Sequence, residues 1–407
     1  MLRTIVISSL LIIAAIAAET GLQTGIGFSH LAQKYVLFEE DTLSASSEGR
    51  FFSEGEIGEQ FGNHNLKGNG MLSIGTETFW SRLKGKWDWT GPQNLFLISE
   101  LSADVREPYS EDATPGYWKG TGYLRVKKRW TEANGSAKLS FETKDYSGQS
   151  SYSYDYTLSK IKFDFGFPFF GEDELSLGYQ FAFRYAPDTT EANYQRNNFY
   201  ASWHRFSGGN YIRGDFEAER RNYNRGDLTG NHWRVYIDIA PMIALGKKFT
   251  LAPEFTAEGY RYDMATAVYP NREWYSVTGG IEWSFSPFVH SGFGPKYSLS
   301  HAGSEVETDN FQELSLELTF DWLRYRKVWL DILLEPGIRF YDTEPSEDFG
   351  YYSNFAFVEV SAIGSYWIIP RMRIDSIVSY SPEWHDVEDD DITTLYLSIN
   401  LEYEFLR

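Results

Sequence analysis

The sequence predicts an all-β chain, a transmembrane antiparallel up-and-down β-barrel of about 18 strands preceded by a short N-terminal segment, with 16 as the other even count left open. Three observations carry that expectation. Seventeen segments of roughly ten to nineteen residues from Met71 to the C-terminus alternate apolar and polar side chains, the period that puts successive residues on opposite faces of a strand. These segments exceed the five or six residues usual for soluble strands and match the roughly 9 to 11 that a tilted strand needs to cross hydrocarbon. The aromatic load, 28 Tyr, 30 Phe and 13 Trp, suits rings gathered at two membrane interfaces better than one compact core.

In order, the alternating segments are 71–89, 93–106, 117–130, 136–146, 151–166, 174–186, 194–206, 211–221 and 232–245. They continue as 248–262, 273–286, 291–302, 312–324, 327–341, 354–368, 371–384 and 392–406. Between them, tight connections such as Ser207-Gly208-Gly209-Asn210 and Ile369-Pro370-Arg371 alternate with longer ones such as 187–193, 303–311 and 342–353. Barrels of bacteria place short turns in the periplasm and long loops outside, so the long set is expected to be extracellular. An even count then requires one further strand from residues 19–68, where Leu22–Phe28 and Gly49–Phe61 are the candidates. The rest of 19–68 is left open between a periplasmic extension, an inward plug and a mobile segment.

Residues 1–18 read as a signal peptide: Arg3, an apolar run from Ile5 to Ile16, and Ala15-Ile16-Ala17 as the cleavage signal. The expected organisation is therefore signal peptide 1–18, N-terminal segment 19–68 and barrel 69–407. No later stretch approaches the 18 apolar residues of a membrane helix, so Sec export with amphipathic strands points to the bacterial outer membrane. The chain has no cysteine, which excludes disulfides, thiol catalysis and thiolate metal sites. A net charge of −20 argues against nucleic acid as a partner.

The two faces separate cleanly. Leu139 and Phe141, Ile212 and Phe216, Trp233 to Ile239 at every second residue, Leu314 to Phe320, Val328 to Leu334, and Val358 to Ala362 form the side assigned to lipid. Charge occupies the other side. Early strands contribute Arg125, Lys127, Lys138, Lys144, Lys160, Lys162 and Arg184, and late strands contribute Glu254, Glu258, Glu282, Glu317, Asp321, Asp331, Glu335 and Glu359. Sequential strands are neighbours in an up-and-down barrel, so this sequence order becomes a basic wall opposite an acidic wall across a lumen. Many ions in a dry interior cost several kcal/mol each, whereas water removes most of that penalty.

The long connections are acidic, with Glu305, Glu307 and Asp309, Glu344, Glu347 and Asp348, and Asp386 to Asp391. No EF-hand spacing occurs, so they are read as a solvated, cation-attracting rim with no metal or cofactor assigned. Ser202 and His204 stand on one face of one strand, as a nucleophile and base would. Phe199, Ala201 and Trp203 take the lipid side, so the pair turns inward, and it is read as ordinary polarity: no catalytic residue is assigned and no enzyme is expected.

The last strand, Leu395-Tyr396-Leu397-Ser398-Ile399-Asn400-Leu401-Glu402-Tyr403-Glu404-Phe405-Leu406-Arg407, resembles the C-terminal recognition strand of bacterial outer-membrane β-barrel proteins. The resemblance implies insertion by the barrel-assembly machinery, with Leu401, Tyr403 and Phe405 toward lipid. It identifies a superfamily and no single family; Arg407 stands where an aromatic usually closes the signal, and Asn400 where Gly is frequent. The function expected is a porin-like channel for small polar or charged solutes, surrounded by lipid and lipopolysaccharide. The competing expectation is a non-conducting barrel with a salt-bridged lumen, an adhesin or a secretion or assembly component. Oligomeric state is unspecified, because every outward face is equally apolar.

Overall fold

The computed structural model describes residues 22–37, 40–109, 115–148, 154–169, 173–224, 230–266, 268–303, 310–342, 353–386 and 391–404, with residues 22–48 as backbone only. The predicted signal peptide, Phe405 and most of the acidic residues named in the long connections lie outside the described residues.

The described chain is a succession of strands: β1 (Leu22–Leu37), β2 (Glu40–Phe61), β3 (His64–Gly75), β4 (Thr78–Thr90), β5 (Leu95–Pro108), β6 (Tyr117–Arg129) and β7 (Asn134–Tyr146). Next come β8 (Tyr156–Pro168), β9 (Glu174–Tyr185), β10 (Tyr194–Ser207), β11 (Asn210–Tyr223), β12 (His232–Ala244), β13 (Phe249–Tyr262) and β14 (Arg272–Ser286). The series ends with β15 (Val289–Ala302), β16 (Phe311–Arg324), β17 (Val328–Tyr341), β18 (Phe355–Ile369), β19 (Met372–His385) and β20 (Ile392–Glu404). Each pairs antiparallel with its sequence neighbours in one 20-stranded sheet. β20 pairs with β1 from Gln23–Glu404 to Tyr35–Ile392, so the circuit of pairings returns to its start.

Among the described residues the strand count is therefore 20, and the expectation of 18 is corrected. The run 71–89 is not one strand. It divides into the end of β3 and β4, joined through Thr76 and Glu77 in a turn that carries no Pro, Asn or Asp to announce it. Residues 22–61 supply β1 and β2, which alternation concealed because their neighbourhood is rich in small residues: Gly55 stands opposite Gly70, and Gly68 opposite Gly85. From β5 onward the expected and observed segments coincide within a few residues.

Ladder partners in an antiparallel pair share a face, so register fixes sidedness around the whole circuit. On one face stand Leu139, Phe141, Trp233 and Leu314, all more than 45% exposed. The fully buried apolar residues are few, and the only cluster among the described residues is Leu72 with Phe79. Apolar side chains thus face outward instead of filling a core, the inverse of a soluble β-sandwich.

The polar face is concave. Its side chains reach past a neighbouring strand at several points where the strand between presents a small residue. Arg125 on β6 contacts Asp164 on β8 (4.0 Å), with Ser136 between them bonded to both. Lys296 on β15 reaches Glu335 on β17 (3.0 Å) beside Ser315, and Arg50 on β2 reaches Asn400 on β20 (3.3 Å) across Gly27.

Candidate functional site

All seven predicted basic residues and all eight predicted acidic ones stand on this concave face. On the early side, Arg125, Lys138 and Lys162 are successive ladder partners, as are Lys119 and Lys144. Lys162 pairs with Asp164 at 3.1 Å on its own strand. Lys138 lies 3.9 Å from the Tyr123 ring centre, and Lys144 lies 4.0 Å from Tyr117 and 4.5 Å from Tyr146. Arg184 sits over Tyr156 and Tyr154 at 4.5 and 4.7 Å. Lys127 and Lys160 have no ion pair among the described residues.

The late side is acidic and less well paired. Glu335 is the ladder partner of Glu359, and Asp321 of Asp331, so like charges face each other directly. That juxtaposition is unfavourable unless solvent or counterions intervene. Glu258 bonds Arg234, and Glu254 lies 4.0 Å from Arg213. Glu282, Glu317 and Glu359 have no ion pair among the described residues. β6–β8 and β16–β18 are ten strands apart in the 20-strand order of pairings.

Every ion pair among the described residues joins groups on the same strand, or on strands or adjoining turns no more than two strands apart. None crosses from one wall to the other. The charges are held along the wall and not across the interior.

Alternation did not reveal a line of mid-strand prolines beneath the acidic wall. The β12–β13 ladder stops at Ile239–Phe255 and resumes at Ile243–Leu251, with Pro241 and Pro253 in the gap. Similar gaps contain Pro295 between β14 and β15, Pro336 between β16 and β17, and Pro382 between β18 and β19. Proline has no N–H to give a ladder, so strands loosen at each position. At the first gap a recess of about 240 Å³ opens, lined by Glu254, Glu282, Glu317 and Arg213 with Ala240, Ala252, Gly280, Gly292 and Gly294. Small residues make the space and carboxylates set its sign. Among the described residues no group of three acidic or histidine side chains is close enough to hold a metal ion.

A second feature that sequence reasoning missed lies at the end of the long connections. Asn193, Asn231, Asn271, Asn310 and Asn354 each immediately precede a returning strand and accept the backbone N–H of the residue at the close of the strand before it. Asp155 and Asp391 do the same. The residue after the cap is aromatic at four of them, so concave rings meet there, as in Tyr194–Tyr223 and Phe311–Tyr341. The repeat was readable as Asn or Asp immediately before seven strand starts, four of which open on an aromatic: Tyr156, Tyr194, Phe311 and Phe355.

Ser202 and His204 are also on this face, where Ser202 Oγ lies 2.7 Å from His204 Nε2. No catalytic assignment came from sequence; the hydrogen bond that completes the arrangement comes from Tyr211 across the short turn, 2.6 Å from His204 Nδ1.

No protein-family model matches the sequence, and no curated protein matches it. Solved structures do resemble it. The alcaligin outer-membrane receptor FauA from Bordetella pertussis is 12% identical, with a TM-score of 0.60 over 93% of this chain and 76% of that one. The copper transporter OprC is 8% identical, with a TM-score of 0.58 over 95% and 81%. The siderophore receptor PirA from Pseudomonas aeruginosa is 10% identical, with a TM-score of 0.55 over 94% and 80%. At these identities the likeness is one of fold, the antiparallel β-barrel that this chain shares with these receptors and this transporter.

Proposed function

We propose that the chain is an outer-membrane barrel whose interior is a water-filled passage for small polar and charged solutes, with the acidic wall favouring cations. The observation that carries this reading is that no described ion pair spans more than two strands, even where the reach is longest, which leaves Glu282, Glu317, Glu359, Lys127 and Lys160 dependent on water. A circuit of 20 strands is wider than the 16 to 18 of open porins. The apolar convex face takes lipid and lipopolysaccharide, the signal peptide and last strand direct Sec export and insertion by the assembly machinery, and short turns face the periplasm. Liposome swelling tests it: vesicles holding the folded protein should admit sugars and amino acids within seconds, and impermeability would oppose it.

A second reading, specific uptake of a bound ligand, is favoured by the ring of aromatic and cationic groups at the long-connection mouth, where Arg184, Lys144 and Arg339 lie over Tyr and Phe rings. The receptors and the copper transporter that share the fold are named for such cargo. Competition of a saturating solute with its own flux would separate the two.

A further inference from the structure

We propose that Ser202 is an activated nucleophile that accepts acyl groups from small water-soluble esters, with His204 as its base and Tyr211 as the positioning residue. The observation is a continuous hydrogen-bonded relay: Ser202 Oγ to His204 Nε2 at 2.7 Å, and His204 Nδ1 to Tyr211 Oη at 2.6 Å. With the imidazole proton on Nδ1, His204 donates to Tyr211 and accepts from the serine hydroxyl at Nε2, the arrangement a nucleophile and base require. All three are half-buried, so the nucleophile remains open to solvent on the concave face.

Two other serine–histidine pairs lack this combination. Ser353 meets His385 Nδ1 at 2.8 Å, with Glu383 beyond, but Ser353 is 0% exposed and closed to any substrate. Ser284 meets His290 Nδ1 at 2.8 Å, and among the described residues no hydrogen bond orients the other nitrogen.

The step is balanced without a cofactor. Ser202 Oγ forms a bond to the ester carbonyl carbon while its proton moves to His204 Nε2; the bond from that carbon to the leaving oxygen then breaks as the oxygen takes the proton. Water attacks the acyl-serine by the same route, releasing a carboxylic acid and restoring the hydroxyl. The backbone N–H groups around Ser202 belong to the ladders with β9 and β11, so no backbone oxyanion hole is free. Ser176 and Arg213 are the ladder partners of Ser202 and His204, and a developing oxyanion would have to draw on such side-chain donors. Lacking a preorganised pair of amides, the site should be slower than a dedicated hydrolase by about 10²-fold or more. Activated esters are therefore its substrate class, and the inward aspect of the pair excludes membrane lipid.

The full chain, folded in detergent micelles and verified by heat-modifiable gel mobility, is treated with a fluorophosphonate probe and, separately, with 4-nitrophenyl acetate. Peptide mapping should place the phosphonate on Ser202, and Ser202→Ala should remove both the label and the acetate burst. His204→Ala should lower acylation by about 10²-fold, with partial restoration by added imidazole. Tyr211→Phe should slow acylation alone but leave imidazole rescue of His204→Ala unchanged, because Tyr211 acts through the imidazole. Folded protein that takes no label above Ser202→Ala, that is labelled elsewhere, or whose His204→Ala variant ignores imidazole overturns the proposal. None of these readouts depends on conductance, so the passage and the nucleophile can fail separately.

Discussion

Tyr200 on β10 lies across Gly178 on β9 and donates its hydroxyl to Asp164 on β8. A Cβ at Gly178 would lie well inside van der Waals distance of Cζ and the hydroxyl oxygen of Tyr200, so the absent side chain is what lets the phenol span two strand spacings. Asp164 also accepts from Ser136 at 3.0 Å and pairs with Lys162 at 3.1 Å, making it the anchor of the basic wall.

Gly178→Ala should therefore displace Tyr200 and cost about 1.5–3 kcal/mol, the range for losing a hydrogen bond to a charged group. Tyr200→Phe removes the same bond without the clash and should cost less. Urea unfolding from vesicles checks both; equal stability of Gly178→Ala and the parent would show that the ring does not depend on that gap.

The acidic recess should set ion preference. Replacing Glu254, Glu282 and Glu317 together with Gln removes three negative charges around one space and should move the reversal potential in a salt gradient toward zero. An unchanged potential would place selectivity elsewhere.

Sidedness gives a paired prediction on β16. Leu318 shares the convex face with Phe293 and Leu334, whereas Thr319 is turned to the concave face with Gly292. Leu318→Arg should cost about 2–4 kcal/mol in a bilayer, and Thr319→Arg far less. Equal penalties measured by vesicle refolding would contradict the assignment of faces.

The Asn caps should hold the long-connection ends of the hairpins. Ala302 is 1% exposed and its N–H is taken by Asn310, so Asn310→Ala strands a buried donor at about 1–3 kcal/mol. Hydrogen exchange should accelerate at the end of β15 and not at its short-turn end; uniform exchange would deny the cap a local role.

The strands from β5 onward were legible because hydrocarbon demands an apolar residue at every second position over membrane length, as in Leu314, Leu316, Leu318 and Phe320. Where glycine and serine occupy those positions, as in Ser53, Gly55, Gly68 and Gly70, the demand is met with a weaker signal, so β1 and β2 were marked only as the candidates Leu22–Phe28 and Gly49–Phe61 for one strand, and β3 was not separated from β4. The charged walls were legible for the same reason as the strands, since period and order along the chain determine face and angle. The proline gaps and the recess were not, because they depend on which residues oppose each other across a ladder. Pro241 and Pro253 are ordinary residues until register sets them side by side.

The proposed passage requires water in the space between the two walls. Single-channel recording of the purified, folded chain in planar bilayers tests it directly. Discrete, ohmic, cation-preferring openings are the predicted result, and correctly folded protein inserted in the bilayer that passes no current would contradict it.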